Sequence, residues 1–287
     1  MRRSFDLGLT LSSGQTFYWG HPEGDDFAFG EPDGEGFWWG VVRGKVWRLK
    51  QEGDELIVAL GDLEEIPEIF GFGWDLGWLG RRAEELNDAP LLEALERFRG
   101  LRMMRQDPWE TLVSFMLSPQ NRVEAIAKGT YMLARRYGPR TSTLPLYPSP
   151  EALAEAEDDF LVRLPVRYKA QAFRLREVAR ILVRRPRFWE DMPEDYPERR
   201  RYLTQLPGVG NKIADCVLAY GVGDGRAVPI DTHILKVSGR FYGFPVRSLT
   251  PKTYDALGDF YRGRYGEYAA LAQLYLYALS RTPNVLR

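Results

Sequence analysis

The sequence predicts an α+β fold, with a small antiparallel β domain over residues 1–80 and a helical body over residues 81–287. Three observations carry this reading. Glycine-rich turns separate short aromatic and β-branched runs in the first eighty residues. From about Arg81 onward, apolar residues recur at three-to-four spacing. Charge divides near the same place: residues 1–98 hold 9 Lys and Arg against 20 Asp and Glu, a net of −11, while residues 99–287 hold 30 against 20, a net of +10. The whole-chain charge of −1 therefore conceals a basic C-terminal two-thirds. Such a segment suits a phosphate-bearing partner, and equally a solvated helical surface.

In chain order, Leu7, Leu9 and Leu11 alternate with Asp6, Gly8 and Thr10, the period of a half-buried strand. Further strands are predicted at 27–29, 37–42, 45–49 and 56–60, with hairpin turns at Arg43-Gly44 and Gly53-Asp54. Helices are predicted at 89–98, 108–117, 123–137, 149–156, 168–183 and 251–265, punctuated by proline-rich connections at 144–150 and 192–197. There are no internal repeats and no low-complexity tail.

Composition excludes several chemistries. The single cysteine, Cys216, rules out an intramolecular disulfide and a cysteine-built zinc or iron–sulfur site. His21 and His233 alone do not make a histidine-rich metal site. No metal site and no catalytic cofactor are expected, so catalysis falls to Lys, Asp, Glu or Tyr. The apolar run at 269–279 is too short to span a bilayer, and Met1-Arg2-Arg3-Ser4-Phe5-Asp6 lacks the apolar stretch of a secretory signal. A monomer resident in a prokaryotic cytoplasm, alongside the chromosome, is the expectation.

The most informative segment is Leu206-Pro207-Gly208-Val209-Gly210-Asn211-Lys212-Ile213-Ala214-Asp215. One helix is predicted to end at Gln205 and another to begin near Asn211, with a tight glycine turn between them. Gly208 and Gly210 allow positive φ and close approach of a ligand to the backbone, and free amides at the next helix start favour phosphate. This is a helix–hairpin–helix arrangement for DNA backbone binding; a plain helix–helix turn has the same outline. Lys212 falls in the first helical turn, where the positive end of the macrodipole disfavours an ammonium. The neutral amine is the form that attacks a sugar carbon and forms a Schiff base. Phosphate contact is the rival role. Nineteen residues on, in Val228-Pro229-Ile230-Asp231-Thr232-His233, Asp231 precedes an apolar-periodic helix. It is an N-cap by position, and a carboxylate able to assist the amine and an oxocarbenium-like C1′ by chemistry.

These two segments resemble the helix–hairpin–helix base-excision glycosylases, specifically the 8-oxoguanine DNA glycosylase/AP lyases of eukaryotic type. The similarity extends to the strand motif at 11–19, to Arg105-Gln106-Asp107-Pro108-Trp109-Glu110-Thr111-Leu112, and to Tyr265-Gly266-Glu267-Tyr268-Ala269 with Ala272-Gln273. Endonuclease III relatives share the Lys and Asp but carry four cysteines for a cluster; alkyladenine glycosylases generally lack the lysine. The resemblance implies a bifunctional enzyme acting on 8-oxoguanine in double-stranded DNA, with two helical lobes flanking the active-site cleft. It implies Lys212 and Asp231 as catalytic residues, the Gly14 carbonyl on the N7–H of the oxidised base, Gln273 on its Watson–Crick edge, and Cys216 and Tyr277 on its faces. Gln120 and Asn121 match the segment that fills the gap left by the flipped base, Tyr168 an aromatic wedge, and His233 a phosphate-side histidine. The hairpin at Gly208, Val209 and Gly210 would hold the DNA backbone, and its carbonyls are candidates for a structural monovalent cation.

Each assignment has a plain structural counterpart. Cys216 and Tyr277 lie on apolar helices, Gly14 fits a bulge, Gln273 fits a buried amide, and Gln120-Asn121 fits a helix–helix turn. Other readings are a related glycosylase for alkylated purines and a non-catalytic module that binds damaged DNA. The chain also departs from the family pattern. Gln120 and Ala125 stand where an asparagine and an arginine read the cytosine opposite the lesion, Lys169 stands for a second arginine, and Tyr277 replaces the usual phenylalanine.

Overall fold

The computed structural model describes residues 5–24, 26–245 and 248–282; Met1–Ser4, part of the segment weighed above as a secretory signal, lie outside them. The sheet has five strands in the order β2-β1-β3-β4-β5, all antiparallel: β1 (Trp19–Glu23), β2 (Asp26–Phe29), β3 (Trp38–Val42), β4 (Lys45–Glu52) and β5 (Glu55–Leu60). The β3–β4 turn pairs Val42 with Lys45, and its two central residues, Arg43 and Gly44, both have positive φ. That is the twist-matched hairpin geometry the Arg-Gly dipeptide suggested. Gly53 likewise turns β4 into β5 at positive φ.

One expected strand is a helix. Residues Leu7–Leu11 form α1, capped by the Asp6 carboxylate, which accepts the Leu9 N–H at 2.8 Å. The Leu alternation over five residues also sets Leu7 and Leu11 four apart, on one helical face, and both are fully buried. With so short a run the two periods cannot be separated, and the cap decides. The motif at 11–19 is accordingly a helix end, a turn and only the first residue of β1. Strand β1 itself was not anticipated, because its burial does not alternate.

Beyond the sheet, a 3₁₀ turn (Leu63–Glu65) leads into α2 (Ile66–Ile69), α3 (Leu76–Glu85), α4 (Ala89–Arg97), α5 (Pro108–Met116), α6 (Val123–Tyr137), α7 (Pro150–Ala154), α8 (Asp158–Leu161), α9 (Lys169–Arg184) and α10 (Tyr196–Thr204). After the hairpin come α11 (Asn211–Cys216), which runs on as a π turn through Val222, then α12 (Thr232–Tyr242), α13 (Pro251–Tyr265) and α14 (Ala269–Ser280). Helical structure thus begins ahead of Arg81. None of the described helices is long and apolar enough to cross a membrane.

Two apolar cores result. In the smaller, α1 and α2 pack on the sheet through Leu7, Leu11, Trp19, Trp47, Leu49 and Phe70. The larger runs through the helical body and takes in Phe17, Tyr18 and Val41 from the sheet side. A buried carboxylate joins the two regions: Glu110 on α5 accepts the Arg43 and Gly44 N–H groups of the β3–β4 turn at 2.8 and 2.7 Å. Burial pushes the Glu110 carboxyl up to about 8, against the pull of those two donors.

Gln15 fastens the N-terminal segment to the body. It is fully buried; its amide nitrogen donates to the Arg102 carbonyl and its amide oxygen accepts the Met104 N–H. The Gln15 carbonyl in turn accepts the Gln106 amide. Gly14 is thereby held at a fixed place at the edge of the helical body.

Candidate active site

A cleft of about 880 Å³ opens where the α5–α6 loop, the start of α9, the hairpin, the segment leading into α12 and the C-terminal half of α14 converge. Twelve of the fourteen residues singled out in the sequence line it; Val209 and Lys169 do not. Val209 is buried beneath the hairpin, and Lys169 is exposed, its ammonium donating to the Leu164 carbonyl at 2.6 Å.

The hairpin is built as its residues dictate. The Val209 N–H donates to the Leu206 carbonyl at 3.1 Å, with Pro207 and Gly208 as the central pair and Gly208 at φ +78°. This is a type II turn, which takes proline first and glycine second. Gln171 on α9 braces it by donating its amide to the Gly208 carbonyl at 2.9 Å. Gly210 is the N-cap of α11 and no side chain caps that end, so the first helical amides remain free for an anion. Gly208→Ala should therefore destabilise the protein by about 1–2 kcal/mol, the cost of a left-handed L-residue. The new methyl would also lie 2.8 Å from Arg174 Cδ. Denaturant unfolding and duplex titration should both register the change, and unaltered stability would mean that the turn does not need its glycine.

Lys212, half-buried, extends from the first turn of α11 over the face of Phe115, with Nζ 4.6 Å from the ring centroid and 3.3 Å from Ser118 Oγ. Asp231 is the N-cap of α12. A single oxygen, Oδ1, accepts both the His233 and Ile234 N–H groups at 2.9 Å. Among the described residues Oδ2 makes no hydrogen bond, so the cap geometry fixes the carboxylate while one oxygen stays available to the cleft. The cap and the cleft-facing carboxylate are compatible roles.

A buried tether joins the two elements that carry this pair. Asp215, three residues after Lys212, accepts the Tyr196 hydroxyl at 2.9 Å and the Tyr254 hydroxyl at 2.6 Å. The Ile230 N–H, just ahead of Asp231, donates to that same Tyr254 hydroxyl at 3.4 Å. Burial raises the Asp215 carboxyl to about 7, opposed by the two phenols and by Arg200.

Gly14, Cys216, Gln273, Tyr277 and His233 line the same cleft. Gly14 has φ +89°, and a β-carbon there would sit 3.4 Å from Tyr277 Cε1, so its backbone lies against the tyrosine ring. Cys216, one helical turn after Lys212, is buried; burial pushes its thiol up to about 12, against the pull of the Lys212 charge. Gln273 is buried and accepts the Tyr220 hydroxyl at 3.4 Å. His233 packs edge-on against Tyr277, and its buried Nδ1 has no partner among the described residues. At the mouth, Gln120 adopts φ +51° and accepts the hydroxyl of exposed Tyr168 at 2.8 Å. Asn121 turns inward and donates to the Pro165 carbonyl at 2.8 Å.

Among the cleft residues that the sequence did not single out are Phe115, Ser118, Tyr220 and Arg281. Arg281 was accessible, since it continues the i, i+4 row from Gln273 through Tyr277. The others were not, because their approach to Lys212 and Gln273 spans 53 to 97 residues of chain.

The model of the HhH-GPD superfamily of base excision DNA repair proteins matches residues 113–260, just over half the chain. The chain belongs to that superfamily. Residues 1–112 match the N-terminal domain of 8-oxoguanine DNA glycosylase. A chain of Methanothermobacter thermautotrophicus named a probable N-glycosylase/DNA lyase is 30% identical over 247 residues, 78% of this chain and 76% of that one. Two solved structures superpose over 96% of this chain and 92% of their own. One is the Clostridium acetobutylicum 8-oxoguanine glycosylase/lyase without ligand, at TM-score 0.80 and 25% identity. The other is MBOgg1 with a low-affinity DNA ligand, at TM-score 0.79 and 29% identity. The HhH-GPD match takes in the hairpin, Lys212 and Asp231. Gly14 falls within the N-terminal-domain match, and Gln273, Tyr277 and Arg281 lie beyond both.

Proposed function

We propose that this HhH-GPD protein is a bifunctional DNA glycosylase/AP lyase that flips 8-oxoguanine out of double-stranded DNA, removes it and nicks the strand. The carrying observation is one cleft that holds Lys212, Asp231 and the four residues Gly14, Cys216, Gln273 and Tyr277, with the hairpin at its rim. Lys212 Nζ attacks C1′, and the bond to N9 breaks with its electron pair leaving on the base. The adjacent Asp231 carboxylate stabilises positive charge at C1′. Opening of the sugar gives the lysine Schiff base, and loss of the C2′ proton expels the 3′ phosphate. These steps call on no metal or redox cofactor, and a monomer suffices for them. Gly14 accepts the N7–H that the oxidised base carries, Gln273 reads the Watson–Crick edge, and Cys216 and Tyr277 cover the faces. Duplexes carrying 8-oxoguanine, an alkylated purine or an abasic site test this directly. Release of the oxidised base with strand nicking is expected; release of the alkylated base alone, or binding without cleavage, would sink it.

Discrimination of the base opposite the lesion should be weak. A bidentate arginine contact is worth about 1–3 kcal/mol against the wrong base. Ala125 lacks such a fork, and Lys169 offers a point charge that is engaged by the Leu164 carbonyl. Single-turnover release opposite cytosine, adenine, guanine and thymine should therefore agree within about tenfold. A hundredfold preference for cytosine would show that other residues read that base.

A further inference from the structure

We propose that Arg281 is a specificity-determining residue of the base pocket, its guanidinium donating to an acceptor oxygen on the purine edge that Gly14 reads. The inference rests on the functional reading above and adds a residue to which that reading gives no role.

The placement follows from α14. Gln273, Tyr277 and Arg281 succeed one another at four-residue intervals, so the three lie along one stripe of the helix. Arg281 is the C-cap, and its N–H donates to the Tyr277 and Ala278 carbonyls at 3.3 and 3.2 Å, which fixes where its side chain starts. The side chain lines the cleft that holds Lys212. Its Cζ is 5.8 Å from the centre of the Tyr277 ring, and a methyl on Gly14 would lie 3.7 Å from its Nη1. The guanidinium therefore stands beside the Gly14 backbone, at the Tyr277 side of the pocket.

Two further features separate Arg281 from an ordinary surface arginine. Two arginines of α13 are spent on carboxylates, Arg262 on Asp259 and Arg264 on Asp88. Arg281 makes no salt bridge among the described residues. It stands over the ring of Tyr277, where the resembling family usually has phenylalanine. Burial raises the Tyr277 phenol, and the Arg281 charge pulls against that rise.

The chemistry is complementary. If the Gly14 carbonyl accepts N7–H, the two groups flanking N7 on that edge of 8-oxoguanine are O6 and O8, both acceptors. A guanidinium offers only donors, and it offers them as a fork. The carbonyl alone reads one hydrogen; with Arg281 beside it the pocket reads a donor and an adjacent acceptor.

Single-turnover base release by the full chain and by Arg281→Ala tests this, on duplexes with 8-oxoguanine or 8-oxoadenine, with cleavage of a preformed abasic duplex as the reference. Losing one charged hydrogen bond should slow 8-oxoguanine release by about tenfold to a hundredfold, with abasic cleavage within about twofold of the parent. Arg281→Lys, which keeps charge but not the fork, should fall between. 8-Oxoadenine carries an amino group at position 6, so an unchanged rate on it assigns the contact to O6, and an equal loss assigns it to O8. Undiminished release of 8-oxoguanine overturns the inference, as does a parallel fall in abasic cleavage, which would mark a phosphate contact or a structural role. A parent protein that leaves 8-oxoguanine in place would sink the functional reading itself, and the inference with it.

Discussion

Replacing Lys212 by glutamine should abolish borohydride trapping of the protein on an 8-oxoguanine duplex and lower strand cleavage by about 10⁴-fold or more, the scale on which enzymes lose activity with their nucleophile. The trapped species is the reduced Schiff base, so it reports the amine itself rather than overall turnover. Folding should survive. The Lys212 ammonium gives up a 3.3 Å contact to Ser118 Oγ, its position over the Phe115 ring and its interaction with the Cys216 thiol. An ammonium at a helix start is not a stabilising feature of the chain. Glutamine keeps the length of the side chain and a hydrogen-bonding end. A variant that still forms the adduct would move the nucleophile to another of the seven lysines or to the chain terminus. Circular dichroism and duplex affinity close to the parent's would complete the case that only the chemistry was lost.

Asp231→Asn should separate the cap from the catalyst. The amide oxygen can still accept the His233 and Ile234 N–H groups now taken by Oδ1, and asparagine ranks with aspartate as an N-cap. Stability should fall by less than about 1 kcal/mol. Base release should drop by about a hundredfold to a thousandfold, the range for removing one preorganised partner of a developing charge. A neutral amide cannot balance positive charge at C1′. Thermal unfolding and single-turnover release on the same preparation check the two halves together. Near-parent release in a folded variant would reduce Asp231 to its capping role; a large loss of stability would mean that Oδ2 also does structural work.

What was legible from sequence was local. Proline and glycine at consecutive turn positions dictate the type II hairpin, because few other residues satisfy that pair of backbone angles. Arg43-Gly44 sets the β3–β4 register, and the three-to-four spacing of apolar residues locates the long helices α6, α9 and α13 within a residue of their ends. Asp231 is an N-cap by position alone, since the apolar period begins immediately after it. Lys212 and Asp231 were singled out by residue type and position at a helix start, whereas the candidate pocket residues Gly14, Cys216, Gln273 and Tyr277 came only from the family resemblance.

The alternation at Leu7–Leu11 failed because five residues hold too little periodicity to tell two conformations apart. There the Asp6 cap and the burial of Leu7 and Leu11 beneath the sheet made the choice. Tertiary structure alone decided which side chains surround the amine. Phe115 and Ser118 reach Lys212 from a helix and loop more than ninety residues away, and Gly14 meets Tyr277 and Arg281 across nearly the whole chain. The same packing turned Asn121 inward to the Pro165 carbonyl and left Gln120 outward on Tyr168. Neighbouring positions in one loop thus received opposite orientations. Backbone preference and periodicity act over a few residues and are written in the sequence, whereas contacts between distant segments depend on how cores close around them, and no short window of residues contains that information.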